Sequence, residues 1–214
     1  VDTAIAQLCQ LADEVFPRTA CVNDIAGKCR CFAGADAAYQ ELLEVGALHL
    51  YAGSLRVFGR CKGHQTKDIN WWNDPQTWKS LYGNEVVDTW AFAEDILGNQ
   101  FVFTKDGIGW LDIETGQIRS LCEKFSDWIG LVHSDPDYYT GRNLALEWYA
   151  QHGRLSINGL SHLCAITLFA CGGPYSTDNL FVMDSLRHIH LKADIARQIR
   201  HLPDGTKIEI KFTD

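Results

Sequence analysis

Between Trp90 and Leu121 four short apolar runs are separated by three turn signals, and this alternation constrains the fold more than any other stretch of the chain. Trp90 to Asp95 reads as a strand, Leu97-Gly98-Asn99-Gln100 as a turn and Phe101 to Thr104 as a second strand. Asp106-Gly107 turns into a third run, Ile108 to Asp112, and Glu114-Thr115-Gly116-Gln117 into a fourth, Ile118 to Leu121. Glycine and asparagine tolerate the backbone angles of tight hairpin turns, so strands at this spacing predict an antiparallel meander. Phe101 and Phe103 alternate, as do Ile108 and Trp110, and each pair is expected to face one side of the sheet.

The period changes on both sides of the meander. Phe125, Trp128, Ile129 and Val132 recur at helical spacing up to Asp135-Pro136, and Leu144 to Tyr149 reads as a helix between Gly141 and Gly153. Leu163 to Ala170 is apolar and is broken by Gly172-Gly173-Pro174. Leu186, Ile189, Ile195, Ile199 and Leu202 predict a long helix, and Lys207 to Phe212 alternates as a further strand. Upstream, Ile5, Leu8, Leu11, Ala12 and Val15 predict a helix over 1–15, stopped at Phe16-Pro17. Ala35 to Val45 reads as a second helix, and Leu48 to Phe58 as a strand or a turn and strand. Asp74 and Pro75 suit the start of a short helix over Gln76 to Tyr82. The expected fold is α+β: an antiparallel-rich mixed sheet with helices packed around it. Residues 1–214 are read as one domain, with 1–70 as an N-terminal helical portion and 155–214 as a C-terminal extension packed on it.

With 46% hydrophobic and 21% charged residues the chain has the balance of a globular domain, not a disordered one. No apolar run approaches the ~18 residues of a membrane span. Residues 1–20 lack the basic start and apolar block of a secretory signal, so a cytoplasmic protein is expected. The net charge is −8, and the basic residues are scattered apart from the mixed stretch Arg60 to Lys67. A protein that grips phosphate needs a basic face, so no nucleic-acid partner and no membrane partner is expected; an acidic surface attracts basic proteins. The eight cysteines are read as reduced thiols, because a chain of this size has core enough to do without staples.

The chemistry that single motifs offer is thin. Cys21, Cys29 and Cys31 with Cys61 or His64 make a zinc candidate, but one residue between Cys29 and Cys31 is poor spacing for a zinc knuckle. No metal and no cofactor is expected. His188-Ile189-His190 cannot place both imidazoles on one helix face. Glu94 and Asp95 are adjacent strand residues that point to opposite faces, so they read as a strand end whose carboxylates satisfy turn amides. Neither a Gly-x-Ser-x-Gly elbow nor a phosphate loop is present. Seven tryptophans remain; Trp110 and Trp128 fall in core patterns, whereas Trp71 and Trp72 sit in a polar stretch and read as exposed anchors.

Ala91-Phe-Ala-Glu-Asp-Ile-Leu-Gly-Asn-Gln-Phe, Trp110-Leu-Asp-Ile-Glu-Thr-Gly and Phe125-Ser-Asp-Trp, in this order, resemble the SUKH superfamily of bacterial immunity proteins and yeast cell-wall-synthesis regulators. Phe169-Ala-Cys-Gly-Gly-Pro-Tyr-Ser-Thr-Asp-Asn-Leu and Leu202-Pro-Asp-Gly are similar to the tail of type VI secretion immunity proteins. The likeness spans roughly residues 71–212. It implies a sheet wrapped by helices and a non-enzymatic immunity protein that binds and neutralises a cognate protein toxin, a nuclease or a deaminase. Asp68, Asp74, Glu94, Asp95, Asp112 and Glu114 are then the expected acidic contacts, with Trp71 and Trp72 as anchors. A regulatory or scaffolding module on the same fold is the alternative, and a thiol- or metal-dependent hydrolase a third reading. Monomer and homodimer both stay open.

Overall fold

The computed structural model describes residues 3–19, 29, 31–61, 66–203 and 205–206. The fold is α+β. Seven strands form one sheet whose spatial order repeats the chain order: β1 (Ala12–Pro17), β2 (Gly46–Leu50), β3 (Leu55–Val57), β4 (Trp90–Asp95), β5 (Gln100–Thr104), β6 (Gly107–Leu111) and β7 (Ile118–Cys122). Every pairing in it is antiparallel, and the parallel element among the described residues is an isolated bridge between Gly59 and Asp68. The helices are α1 (Thr3–Leu11), α2 (Ala37–Val45), α3 (Ile69–Trp72), α4 (Asn84–Val87), α5 (Phe125–Ser134), α6 (Pro136–Thr140), α7 (Arg142–His152) and α8 (Ser185–Ile199). A two-stranded ribbon, β8 (Ser161–Ala165) with β9 (Leu180–Asp184), completes the molecule.

The meander forms where the turn signals placed it, and its aromatic side is the core. Phe92 stacks on Phe103 at 4.4 Å between ring centres, Tyr39 of α2 meets Phe103 at 4.7 Å, and Trp128 of α5 meets Phe92 at 4.9 Å. Phe101 and Trp110 stack in parallel on the same side at 5.7 Å. Offset and edge-on contacts of this kind add to the burial of large apolar surfaces. Asp36 caps α2 by accepting from the Tyr39 amide at 3.2 Å, and its other oxygen accepts from the Ser126 amide at 3.2 Å, so one carboxylate sets the start of both α2 and α5. A smaller cluster joins Ile96, Leu144, Ala145 and Trp148 to Leu163 and Leu180 of the ribbon.

Three expectations need correction. The first helix stops at Leu11, and Ala12 and Val15 belong to β1, paired with β2. The hydrogen bonds available from β2 outweigh a helical pattern that loses its apolar face at Asp13 and Glu14. The portion 1–70 therefore holds not only the helices α1 and α2 but also three of the seven strands. Leu48 to Phe58 divides into β2 and β3 through Tyr51 and Ala52, both at positive φ (54° and 63°), a turn that carries no conventional turn residue before Gly53. Gln76 to Tyr82 makes only a short 3-10 turn, Lys79–Leu81, although Asp74 does accept from the Gln76 amide at 2.9 Å. Lys207 to Phe212, Cys21 and His64 lie outside the described residues. Among the described residues no helix is long and apolar enough to cross a membrane.

Candidate functional site

A bulge in β4 organises the side of the sheet opposite the aromatic core. Trp90 pairs with Phe103 and Ala91 with Val102, but then Ala93 pairs with Phe101 and Glu94 with Gln100, leaving Phe92 as the extra residue. Strict alternation would point Glu94 the same way as Trp90 and Phe92. The extra residue turns it to the other face, beside Gln100. There it is fully buried and receives Lys67 Nζ on Oε1, Arg56 on Oε1 at 3.3 Å and Gln100 on Oε2 at 3.2 Å. Burial pushes the Glu94 carboxyl up, but Lys67, His162 and Arg56 outweigh it and hold the group well below the usual carboxylate range. Burial also lowers Lys67 to about 8, with Glu94 opposing the shift. The two cations continue to the β8 end of the molecule: Lys67 donates to the Gly159 carbonyl at 3.2 Å and Arg56 to the Ser161 carbonyl at 2.6 Å.

From Glu94 a line of imidazoles runs outward. His162 Nε2 lies 3.1 Å from Glu94 Oε2, and His162 Nδ1 lies 3.2 Å from His188 Nδ1. Burial lowers His162 to about 4 and takes His188 well below its ordinary value, so both rings are neutral. An ionised Glu94 faces the N–H of His162; His162 Nδ1 is then the acceptor and His188 Nδ1 the donor. That leaves His188 Nε2 as a bare acceptor, and it has no hydrogen-bond partner among the described residues. Gly98 makes this packing possible: a Cβ there would stand 2.6 Å from His162 Nδ1, and its φ of +90° suits glycine.

His188 borders a cavity of about 650 Å³. The turns after β4 and β6, α6, the loop 169–175 and α8 surround it. Five carboxylates line it, Asp95, Asp112, Glu114, Asp135 and Asp137, against the single lysine Lys192. Each also has a structural task. Asp95 accepts from Leu97 N, Asn99 N and Asn99 Nδ2 at 2.8–2.9 Å, while burial pushes it up to about 7. Asp112 accepts from Glu114 N and Thr115 Oγ1, at 2.8 and 3.0 Å. Glu114 pairs with Lys192 at 2.7 Å and accepts from the Ala170 amide at 2.9 Å. Asp135 caps α6, and Asp137 holds Arg142 at 2.8 Å. Trp110, Tyr138 and Tyr175 add aromatic walls, and the rings of Tyr138 and Tyr175 are exposed.

The expected site residues separate into three groups. Asp95, Asp112 and Glu114 meet at this cavity. Asp68 caps α3, Asp74 lines a second cavity of about 700 Å³ with Lys79, and Trp71 is 46% exposed nearby. Trp72 and Glu94 are fully buried, so neither is a surface contact: Trp72 packs on Phe58 and Trp78 and donates to Gln100 at 2.8 Å. The turn-amide reading suits Asp95 and fails for Glu94, because the bulge sends it inward. Asp135, Asp137, His162, His188 and Lys192 were not singled out as a site; no local spacing joins positions 26 or more residues apart. The described cysteines are free thiols, and among the described residues no three metal-binding groups converge.

No protein-family model matches the chain, and no curated protein matches it. Among solved structures it is similar to Atu4351 from Agrobacterium tumefaciens, with a TM-score of 0.58 and 14% identity over 88% of this chain and 87% of that one. At that identity the likeness shows a shared fold.

Proposed function

We propose that this chain is a non-enzymatic immunity protein that acts in the cytoplasm by binding a cognate protein toxin, of the nuclease or deaminase class. The observation that carries the reading is the cavity where Asp95, Asp112 and Glu114 gather with Asp135 and Asp137 beside the exposed rings of Tyr138 and Tyr175. Nuclease and deaminase toxins present basic surfaces to nucleic acid, and carboxylates ringed by aromatics complement such a surface. The net charge of −8 adds long-range attraction. The resemblance of the 91–128 motifs to SUKH immunity proteins points the same way.

Co-purification with the product of the adjacent gene, combined with rescue of growth on co-expression, tests the reading. A complex with rescue is expected. Asp112→Lys should weaken that complex at least about tenfold, equivalent to ~1.4 kcal/mol, because it reverses a charge at the cavity. Asp74→Lys, away from this cavity, should leave it unchanged. No complex with any neighbouring product would remove the immunity reading and leave a regulatory module as the better one.

A further inference from the structure

We infer that the cavity between the β4 and β6 turns and α8 is a receptor for a guanidinium group, an arginine side chain presented by a protein. This deepens the toxin-binding reading and rests on it for the identity of the partner. The carboxylates alone would not carry it, since each is engaged in a turn, a cap or an ion pair. Two further groups do. His188 is 1% exposed and borders the cavity, and its Nε2 has no partner among the described residues. The ionised Glu94 orders the protons along His162 and His188 so that this nitrogen accepts. Trp110 also borders the cavity, and its indole N–H has no acceptor among the described residues. A buried polar group left unmatched is costly, so a ligand that matches both nitrogens is favoured over an apolar one.

The ligand must therefore donate to His188, accept from Trp110 and carry positive charge toward Asp112 and Asp135. An arginine residue within a peptide does all three: its guanidinium donates, and its backbone carbonyl accepts. Guanidinium is a better match than ammonium because it pairs with carboxylates through a planar fork and stacks on rings. Arg119 of β7, which does not line the cavity, shows this ring contact on two of its walls, Trp110 and Tyr138. The Arg119 guanidinium lies 5.1 Å from the Trp110 ring centre and 5.8 Å from that of Tyr138, and donates to the Tyr138 hydroxyl at 3.0 Å. A volume of about 650 Å³ holds a side chain together with flanking backbone.

The test is an NMR titration of the full chain with N-acetyl-arginine N-methylamide, its lysine counterpart and free arginine. The expected result is saturable binding of the blocked arginine, a shift of the Trp110 indole N–H, and an upfield move of the His188 Nε2 resonance. Asp112→Asn keeps the turn acceptor and removes the charge; it should weaken binding about tenfold. Trp110→Phe removes only the N–H donor and should weaken it about fivefold. Equal binding of lysine, tighter binding of free arginine than of the blocked form, or affinity unchanged in both variants would overturn the proposal, as would the absence of saturation. A toxin that co-purifies while the probe fails overturns this inference and leaves immunity standing. A probe that binds while no toxin does removes the partner's identity and leaves the arginine receptor.

Discussion

Glu94 and Asp95 are neighbours of like charge with unlike tasks, and the difference comes from what each faces. Asp95 meets amides of its own turn; Glu94 meets Lys67, Arg56 and Gln100 from three other segments. Removing one member of a buried ionic cluster strands the remaining charges, which costs about 3–5 kcal/mol. Glu94→Gln should therefore lower the unfolding free energy by that amount, read as a lower urea midpoint at unchanged slope, since Arg56 stays buried and positive without its carboxylate. A change under about 1 kcal/mol would mean that water reaches the cluster. The two adjacent tryptophans give a second contrast. Trp72→Ala should cost about 3–5 kcal/mol by opening a cavity against Phe58 and Trp78, whereas Trp71→Ala should stay within about 1 kcal/mol. Equal effects in denaturant melts would contradict the assigned burial.

At the scale of elements, a single carboxylate joins two helices. Asp36→Ala should cost more than the ~1 kcal/mol of an ordinary cap, since it also frees the Ser126 amide at the start of α5. Native-state hydrogen exchange should show faster exchange at both Tyr39 and Ser126; loss at Tyr39 alone would separate the two helices. The meander and α5, α7 and α8 were legible in the sequence because local signals, turn glycines and helical spacing, agree with the tertiary outcome. β1 was not, because Ala12 and Val15 stand three apart and fit the helical period, and only the pairing with β2, through an irregular register between Ala12 and Glu14, decides for a strand. The bulge at Phe92 was invisible for the same reason. Register is a property of two strands, so the inward turn of Glu94 cannot be read from Trp-Ala-Phe-Ala-Glu-Asp alone. The cavity was half legible: its turn carboxylates stand in recognisable turns, while His162 and His188 acquire meaning only by meeting.

For the whole molecule, buried histidines set the response to acid. Burial lowers His49 to about 3 and His162 to about 4, and takes His188 well below its ordinary value. Unfolded histidines take up protons near ~6.5, so between about pH 6.5 and 5 the unfolded chain gains protons that the folded one refuses, and stability falls as acid is added. Asp95, raised to about 7, works in the opposite sense, since the folded state keeps a proton that the unfolded state releases down to ~4. Lys67 and Lys79, lowered to about 8 and about 7, titrate above this window. Three histidines against one aspartate leave about two protons, or roughly 2–3 kcal/mol per pH unit at the steepest. Thermal melts from pH 6.5 to 5 should show Tm falling, with a shallower slope in His188→Phe. A flat profile would mean that the histidines are charged in the folded state.

Because strand order in the sheet repeats chain order, each strand pairs with the one made just before it, and during synthesis the sheet needs nothing from the residues still to come. The ionic cluster is different. Arg56 waits 105 positions for the Ser161 carbonyl, Lys67 waits 92 for that of Gly159, and Tyr82 waits 107 for that of Ile189. A nascent chain that has passed β7 but not β8 thus carries a paired sheet whose Glu94, Lys67 and Arg56 are still open to water. The ribbon therefore closes over a charged face, not an apolar one, when it docks.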